Sequence, residues 1–519
     1  MAEELVNPPP RRDQASAEML REDPFAIVDH LALEECFGYE GACFDTIEQV
    51  PRRFQIAWAS AMGEAAKALA HAKDEYGIAS LRFERRLKFF FALPTFLLRF
   101  PPGLQKMRHQ QEEQLLTSRF AVVHNPATWP QLVQTYEQDL LLLRANHPRP
   151  AAKKPATGDA EEGSETTART KKAIRAMNFM AESQYGRARK AILSHGVGCP
   201  TDPRVQAQMQ EKHPLRKAPI EPMTPEQTSA FRTTLAPEVF ADTIRQLDRK
   251  IAPGPGGLRY EHLQALLLPT SSTDVPEHAA TALSHLLEVV NQILGIAYPA
   301  YFYVAFSSVR LVALNKKDPR DLANPAEEQD YRPVGIGYTL RRVASKALIA
   351  MHAAELASAC RPTQFACGRP AGGTELVFAI QALLDARPDF VAVKVDVKNA
   401  FNEITRRVIL ENLWSKPSLR GMYAFVHRML EYESEVLLGS GCNLLRAPFR
   451  SAEGVQQGDI FGSHLYCIGA DVVNNRTNAL LVPHGGALLA GMDDTYLVGP
   501  PAVVFQEALP AHARALSSI

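Results

Sequence analysis

The sequence predicts a chain of mixed α/β or α+β class behind an α-helical N-terminal region. Three observations carry this. The first fifty residues are mixed, but Gln55–Ala72 is Ala-rich and Trp129–Leu143 has apolar positions at helical spacing, which suggests an α-helical region over 1–145. A polar stretch rich in Pro, Ala and Lys interrupts the chain from Asn146 to Thr170. Beyond Thr224, helical patterns alternate with short apolar runs. With 519 residues, 46% of them hydrophobic and 22% charged, the composition is globular and asks for more than one folded unit. Lys plus Arg and Asp plus Glu are 57 each, which excludes a general polycation, so any nucleic-acid surface has to be local. Seven cysteines without a CxxC pair argue against a disulfide framework or a zinc ribbon and indicate a reducing compartment.

The opening MAEELVNPPPRRDQ carries charges and prolines where a secretion signal needs an apolar core, so an intracellular location, nuclear or cytoplasmic, is expected. Gln55–Ala72 is Ala-rich and helix-prone. Phe89–Leu98 is the most membrane-like run, but Pro94 breaks it and it has about half the length a bilayer requires. Arg85–Phe100 is therefore read as a buried helix pair or a docking surface, with no membrane role. In Trp129–Leu143, Leu132, Tyr136, Leu140 and Leu143 share one helical face. Asn146–Thr170 reads as a solvated linker. Thr170 is placed as the N-cap of a helix with Ile174, Met177, Ala181, Tyr185, Ala188 and Ile192 on one face, opening a helical region over 171–223. Arg169, Lys171, Lys172, Arg175, Arg187, Arg189 and Lys190 crowd this stretch against Glu182. A solvated face and a phosphate-backbone contact account for that cluster about equally well; Arg187, Arg189 and Lys190 are the candidate nucleic-acid contacts.

From 224 to 519 the predicted helices are Glu226–Arg249, Ala279–Ile293, Leu340–Leu356 and Glu375–Ala386, with apolar runs at Arg310–Leu314 and Val391–Val395. In Val391–Val395 the valines alternate, and Asp396 follows on the opposite phase, where a strand end can present a carboxylate to a cleft. Ala487–Ala490 and Tyr496–Val498 flank Met492-Asp493-Asp494, which reads as a hairpin with adjacent acids at its tip. Adjacent carboxylates repel unless solvated or neutralised by a cation. The two acidic sites are 97 residues apart (493 minus 396), and both end apolar strands. Converging, they would offer hard oxygen donors of the kind that hold Mg2+ beside phosphates. Between them, GVQQGDIFG at Gly454–Gly462 makes a Gly-rich bend that permits close backbone approach, with Asp459 as a candidate helix cap.

Residues of about 250–500 resemble the fingers and palm of a reverse transcriptase, most similar to those of non-LTR (LINE-like) retrotransposons. The resemblance rests on an ordered series: KIAPGPGGLRYEHL from Lys250, VRLVALNKKD from Val309, YRPVGIGYTLRRVASK from Tyr331 and TQFACGRPAGGTE from Thr363. It continues with VKVDVKNAFN from Val393, EGVQQGD from Glu453 and GMDDTYLVG from Gly491. SQYGRARKAILSHGVGCPTD from Ser183 is similar to the region preceding the polymerase in such elements.

The resemblance implies an α+β right-hand polymerase, with an antiparallel sheet and flanking helices. It implies an RNA-directed DNA polymerase that adds deoxynucleoside triphosphates to a DNA primer on an RNA template, with two Mg2+ ions or Mn2+. Asp396, Asp493 and Asp494 match the catalytic and metal-binding acids, and Val397 would add its main-chain carbonyl. Lys316 and Arg332 match the triphosphate grip, with Lys317 as a neighbouring alternative. Phe401 matches the gate beneath the sugar, which favours deoxynucleotides over the ribonucleotides of an RNA-dependent RNA polymerase. Gln457 and Gly458 match the pair contacting nucleotide and template base. Asp318, Arg320, Asp321, Glu327, Glu328 and Asp330 surround the grip residues, so solvated ion pairs account for part of that segment. His262 is expected to be packed rather than catalytic.

Departures accompany the match. Gly491 stands where the family has a large residue, and Ile460 and Ser463 replace prolines. Ile519 follows Asp494 by 25 residues (519 minus 494), room for one helix near Val503–Leu516, so the thumb is expected to be missing and the chain to be a truncated copy of an element. A non-catalytic RNA-binding scaffold derived from such a polymerase is the alternative expectation.

Overall fold

A computed structural model describes residues 11–39, 42–102, 104, 107–145, 161–181, 185–229, 233–268, 275–317, 322, 329–439 and 444–519. Residues 146–160, Glu182–Gln184, Asp318–Asp321 and 323–328 therefore fall outside the described residues, including the core of the expected linker and, of the charged residues expected around Lys316, all but Asp330. The fold is α+β. Its described strands are β1 (Val309–Asn315), β2 (Tyr331–Gly337), β3 (Val391–Val395), β4 (Ser434–Leu438), β5 (Leu445–Ser451), β6 (Ala487–Gly491) and β7 (Asp494–Gly499). They form two sheets, ordered β2-β1-β4-β5 and β3-β7-β6.

The longer N-terminal helices form because each has an apolar face to bury, and they bury it partly against one another and partly against the later chain. Leu81–Leu98 is one helix with Pro94 inside it near its C-terminal end, not a pair. Ser80 caps it by accepting from the Phe83 amide at 3.1 Å. Its charged residues go inside already paired: Lys88 reaches Glu84 at 2.7 Å, and Arg85 grips Asp29 at 2.6 Å and Asp23 at 3.0 Å. Phe91 stacks on Phe37, and Phe89 on Trp129, both at 4.4 Å between ring centres.

One apolar cluster then joins Val28–Leu143 to Leu235–Ala470. Trp58, fully buried, donates its indole N–H to the His262 carbonyl at 2.8 Å, and Gln292 donates to the Ala70 carbonyl at 2.8 Å. Burial pushes the His262 pKa down to about 3, so the ring is neutral and packed against the Ile47 carbonyl at 2.7 Å. Val28–Leu143, part of the 1–145 expected as a region of its own, thus shares its core with Leu235–Ala470. Amphipathic helices of this length need a partner layer, and the later helices supply it.

Several boundaries move. A helix runs Glu161–Ala181, so Thr170 lies inside it rather than capping it. Its first turns are too polar to be told from linker by composition, although Glu, Ala and Arg are good helix formers. Glu226–Arg249 resolves into Pro225–Ser229 and Pro237–Arg245, because Pro237 opens a new first turn. Leu340–Leu356 divides at His352 into Thr339–Met351 and Ala353–Ala359.

The three-stranded sheet is antiparallel, with Val391↔Gly499 through Val395↔Thr495 and Gly491↔Asp494 in register. The β3 valines, with Leu488 and Leu497, pack on Leu481 and Val504; Leu489 and Val498 pack on Leu376 from the other side. The four-stranded sheet departs from the expected antiparallel arrangement, since β4 runs parallel to β1. The long crossover between them, which contains β3, permits that direction. Val309, Leu311 and Ala313 cover Val205 and Met209 of the Pro203–Glu211 helix. Among the described residues no helix is long and apolar enough to cross a membrane.

Candidate active site

Two acidic positions meet because of the β3–β7–β6 register. Val395 opposes Thr495, so Asp396 follows in line with Asp494, next to the hairpin tip. Met492 and Asp493 form the two-residue turn between Gly491 and Asp494. Met492 sits at φ 61°, a left-handed conformation that costs a non-glycine residue on the order of 1 kcal/mol or more. Gln364 holds it there, accepting from the Met492 amide at 2.8 Å and donating to its carbonyl at 3.1 Å. After Asp396 the chain turns through Asn399, also left-handed at φ 57°, into the short helix Ala400–Glu403.

Asp396, Val397, Asp493, Gln457, Arg332 and Lys316 line one cavity of about 540 Å³, a volume typical of small-ligand sites. The acids form its floor and the β1–β2 hairpin its cationic wall. Arg332, exposed and opposite Leu314 in register, comes from β2. Lys316 follows β1 and pairs with Asp330 at 2.6 Å. Burial pushes the Asp330 carboxyl up, but Lys212 and Lys316 outweigh it and hold it below the ordinary carboxylate range. Asp493 is the opposite case. Burial raises its pKa, the nearby charges of Asp494 and Asp396 raise it further, and Arg332 partly offsets them. Among the described residues Arg332, Asp396 and Asp493 make no ion pair, which leaves two acids and one cation uncommitted around the same space.

The bend at Gln457 is fixed by contact with β2. The Gly335 amide donates to the Gln457 carbonyl at 2.7 Å. Gly458 has φ 92°, and a Cβ there would stand 2.8 Å from the Gly335 oxygen, so only glycine lets the two segments touch. The Gln457 Oε1 is buried without a hydrogen-bond partner, an acceptor left open beside the cavity. Asp459 accepts from the Phe461 amide at 2.9 Å and pairs with Arg341, at the start of the Gly462–Leu481 helix.

Other expected residues lie elsewhere. Asp494 does not line the cavity; its carboxylate pairs with Lys394 at 2.7 Å, both side chains about half exposed. Gly458 touches β2 and does not line the cavity. Phe401 is buried, stacked on Tyr466 at 5.0 Å with the rings 21° apart, and is likewise absent from the lining. Arg187 and Lys190 line a second groove, of about 740 Å³, beside β1 and β2. Arg175, Lys250 and Arg310 join them, and no Asp or Glu is among its described lining residues. Arg187 is also tied to Asp248 at 3.1 Å and to the Arg249 carbonyl at 2.7 Å. Arg189 is exposed and lines neither space.

Lys212, Asp330, Gln364 and Asn399 were not singled out as site residues from the sequence. Only Asn399 had a local signal, since Asn tolerates left-handed backbone.

The donor set bears on a cation. Asp396, Asp493 and the Val397 carbonyl are hard oxygen donors, and the mutual repulsion felt at Asp493 is what a divalent ion relieves. Among the described residues, however, no group of three or more His, Cys, Asp or Glu side chains converges closely enough to hold a metal. The fit is therefore that of two carboxylates, with Asp494 turned to Lys394.

No protein-family model matches the chain. The chain is distantly similar to a retrotransposable element SLACS 132 kDa protein of Trypanosoma brucei gambiense, 24% identical over 270 residues. The match covers 51% of this chain and 20% of that protein, so the chain spans about a fifth of the relative's length.

Proposed function

We propose that the cavity is the nucleotide site of a retrotransposon-type RNA-directed DNA polymerase, which adds deoxynucleotides to a primer 3′ end on an RNA template. One observation carries the reading: acids 97 residues apart (493 minus 396) and the cations of a separate hairpin face each other across one cavity. The distant similarity to a retrotransposon protein supports the same class.

In this reading Lys316 and Arg332 bind the triphosphate, a task suited to an ammonium and a planar guanidinium fork. The open acceptor of Gln457 orients the nucleotide's base or sugar. Asp396 and Asp493, with the Val397 carbonyl, would hold Mg2+, or Mn2+ in its place. When bound, such ions stabilise the charge that builds on the phosphate and ease deprotonation of the attacking hydroxyl. The basic groove containing Arg187 and Lys190 takes the phosphates of the template strand. Positioning and charge neutralisation carry the reaction, and no side chain needs to form a bond.

The test is primer extension by the purified chain on RNA and DNA templates with Mg2+. D396N and D493N are expected to lower extension by at least about 100-fold while the melting temperature holds or rises. Equal extension by all three proteins overturns the reading.

The Lys394–Asp494 pair and the two-acid floor favour a second reading, a non-catalytic RNA-binding scaffold. RNA binding without incorporation selects it. Because Phe401 packs on Tyr466, deoxynucleotide preference is tested separately by competition with ribonucleotides.

A further inference from the structure

We infer that Lys212 is a positioning residue, whose main chain and side chain together fix the width of the cavity between its cationic wall and its acidic floor. The identity of the ligand, a polyphosphate, rests on the polymerase reading above; the positioning rests on the geometry.

Lys212 caps the Pro203–Glu211 helix at its C-terminus, outside every motif that carries the resemblance. It is 8% exposed, an uncommon degree of burial for a lysine. Its ammonium donates to the Asp330 carboxylate and to the Tyr331 carbonyl, which pins the start of the strand bearing Arg332. Its own carbonyl accepts from Asn399 at 3.0 Å and from Asn402 at 2.7 Å, which pins the turn that follows Asp396. One residue is thus bonded to both sides of the cavity, and it lines the cavity itself. The helix cannot shift to accommodate a change, because Val205 and Met209 anchor it beneath β1.

The electrostatics follow from sharing Asp330. That carboxylate is held by Lys212 and by Lys316 at 2.6 Å. With the Lys212 ammonium removed, Asp330 falls to Lys316 alone, so Lys316 is more fully neutralised and the Tyr331–Arg332 end is released. An incoming polyphosphate then meets a weaker grip. Loss of Lys212 acts on ligand binding, not on the chemical step.

The experiment titrates inorganic tripolyphosphate into the full chain by calorimetry, for wild type, K212M, K212R and D330N, with melting curves for each. K212M is expected to bind about tenfold more weakly, the loss of one charged hydrogen-bonded contact, and K212R to recover most of it. D330N keeps an oxygen acceptor for both lysines and removes the competing charge, so it is expected to bind severalfold more tightly. A purely structural role would weaken both variants. In primer extension K212M raises KM for the nucleotide and leaves kcat near wild type. Unchanged tripolyphosphate binding in K212M, weaker binding in D330N, or no binding by wild type overturns the inference. Tripolyphosphate binding with the predicted ranking but without incorporation leaves it standing while the polymerase reading falls.

Discussion

Asp493 sits half-buried beside two other acids, and its carboxyl is held above the ordinary range, first by burial and then by Asp494 and Asp396. Its folded-state pKa exceeds the unfolded value, so the folded chain holds that proton more tightly. The associated stability is fully present below the unfolded pKa and is lost as pH rises through the raised one. D493N is therefore expected to raise the melting temperature by about 1–2 °C at pH 7 and to change nothing near pH 3, as scanning calorimetry would report. Solvent screening at a half-exposed group keeps the effect under about 1 kcal/mol. A wild-type chain as stable as D493N at neutral pH would show that the neighbouring charges are not felt. The two acids on the cavity were legible because each ends an apolar strand whose alternation is plain in the sequence. The role of Lys212 was not, since its partner Asp330 is 118 residues away and depends on how a helix seats beneath β1. Lys394 was equally hidden as the partner that turns Asp494 from the cavity.

The β6–β7 hairpin and the Gly372–Ala386 helix fit through Gly491. A Cβ on Gly491 would stand 2.8 Å from the Leu376 Cδ2, so the missing side chain there is a seat for Leu376. Leu376 is buried against Leu489 and Val498, and the hairpin is clamped on its other edge by the Ala490 amide donating to the Thr363 carbonyl at 2.8 Å. G491A is cheap because a flexible side-chain end can give way. G491Y overpacks the seat and is expected to destabilise by about 1–3 kcal/mol in urea unfolding, with L376A in the same chain recovering part of that. Strict additivity of the two changes would mean they do not touch. The departure at Gly491 was visible in the sequence, while its reason needed the packing. Strands with alternating residues were legible to within a residue or so, as β3 shows. The helix beginning at Glu161 was hidden because its composition is that of a solvated segment.

For the whole molecule, the decisive fact is that Val28–Leu143 and Leu235–Ala470 share one core. Composition marked a boundary near 146–170, yet the apolar faces of the helices before it close on helices after it. Unfolding is expected to be cooperative across the two regions. W58A, which empties a fully buried site and leaves the His262 carbonyl without its donor, should cost about 3–5 kcal/mol. Hydrogen exchange in the Ala282–Leu294 and Thr339–Met351 helices, which share that core and lie far from Trp58 in sequence, should speed up along with exchange in the Gln55–Tyr76 helix. Protection kept in those two helices while the Gln55–Tyr76 helix opens would mean the two regions fold separately.

The parallel pairing of β1 with β4 has a temporal consequence. Val309 aligns with Val436, so the hairpin that carries Lys316 and Arg332 gains its inner neighbour only after the ribosome has passed β3 and the Asp396 that follows it. Such distant pairing is slow to form. The cationic wall of the cavity and its first acid are thus completed in the same late stage of assembly, and a nascent chain halted before β4 would hold neither in its final place.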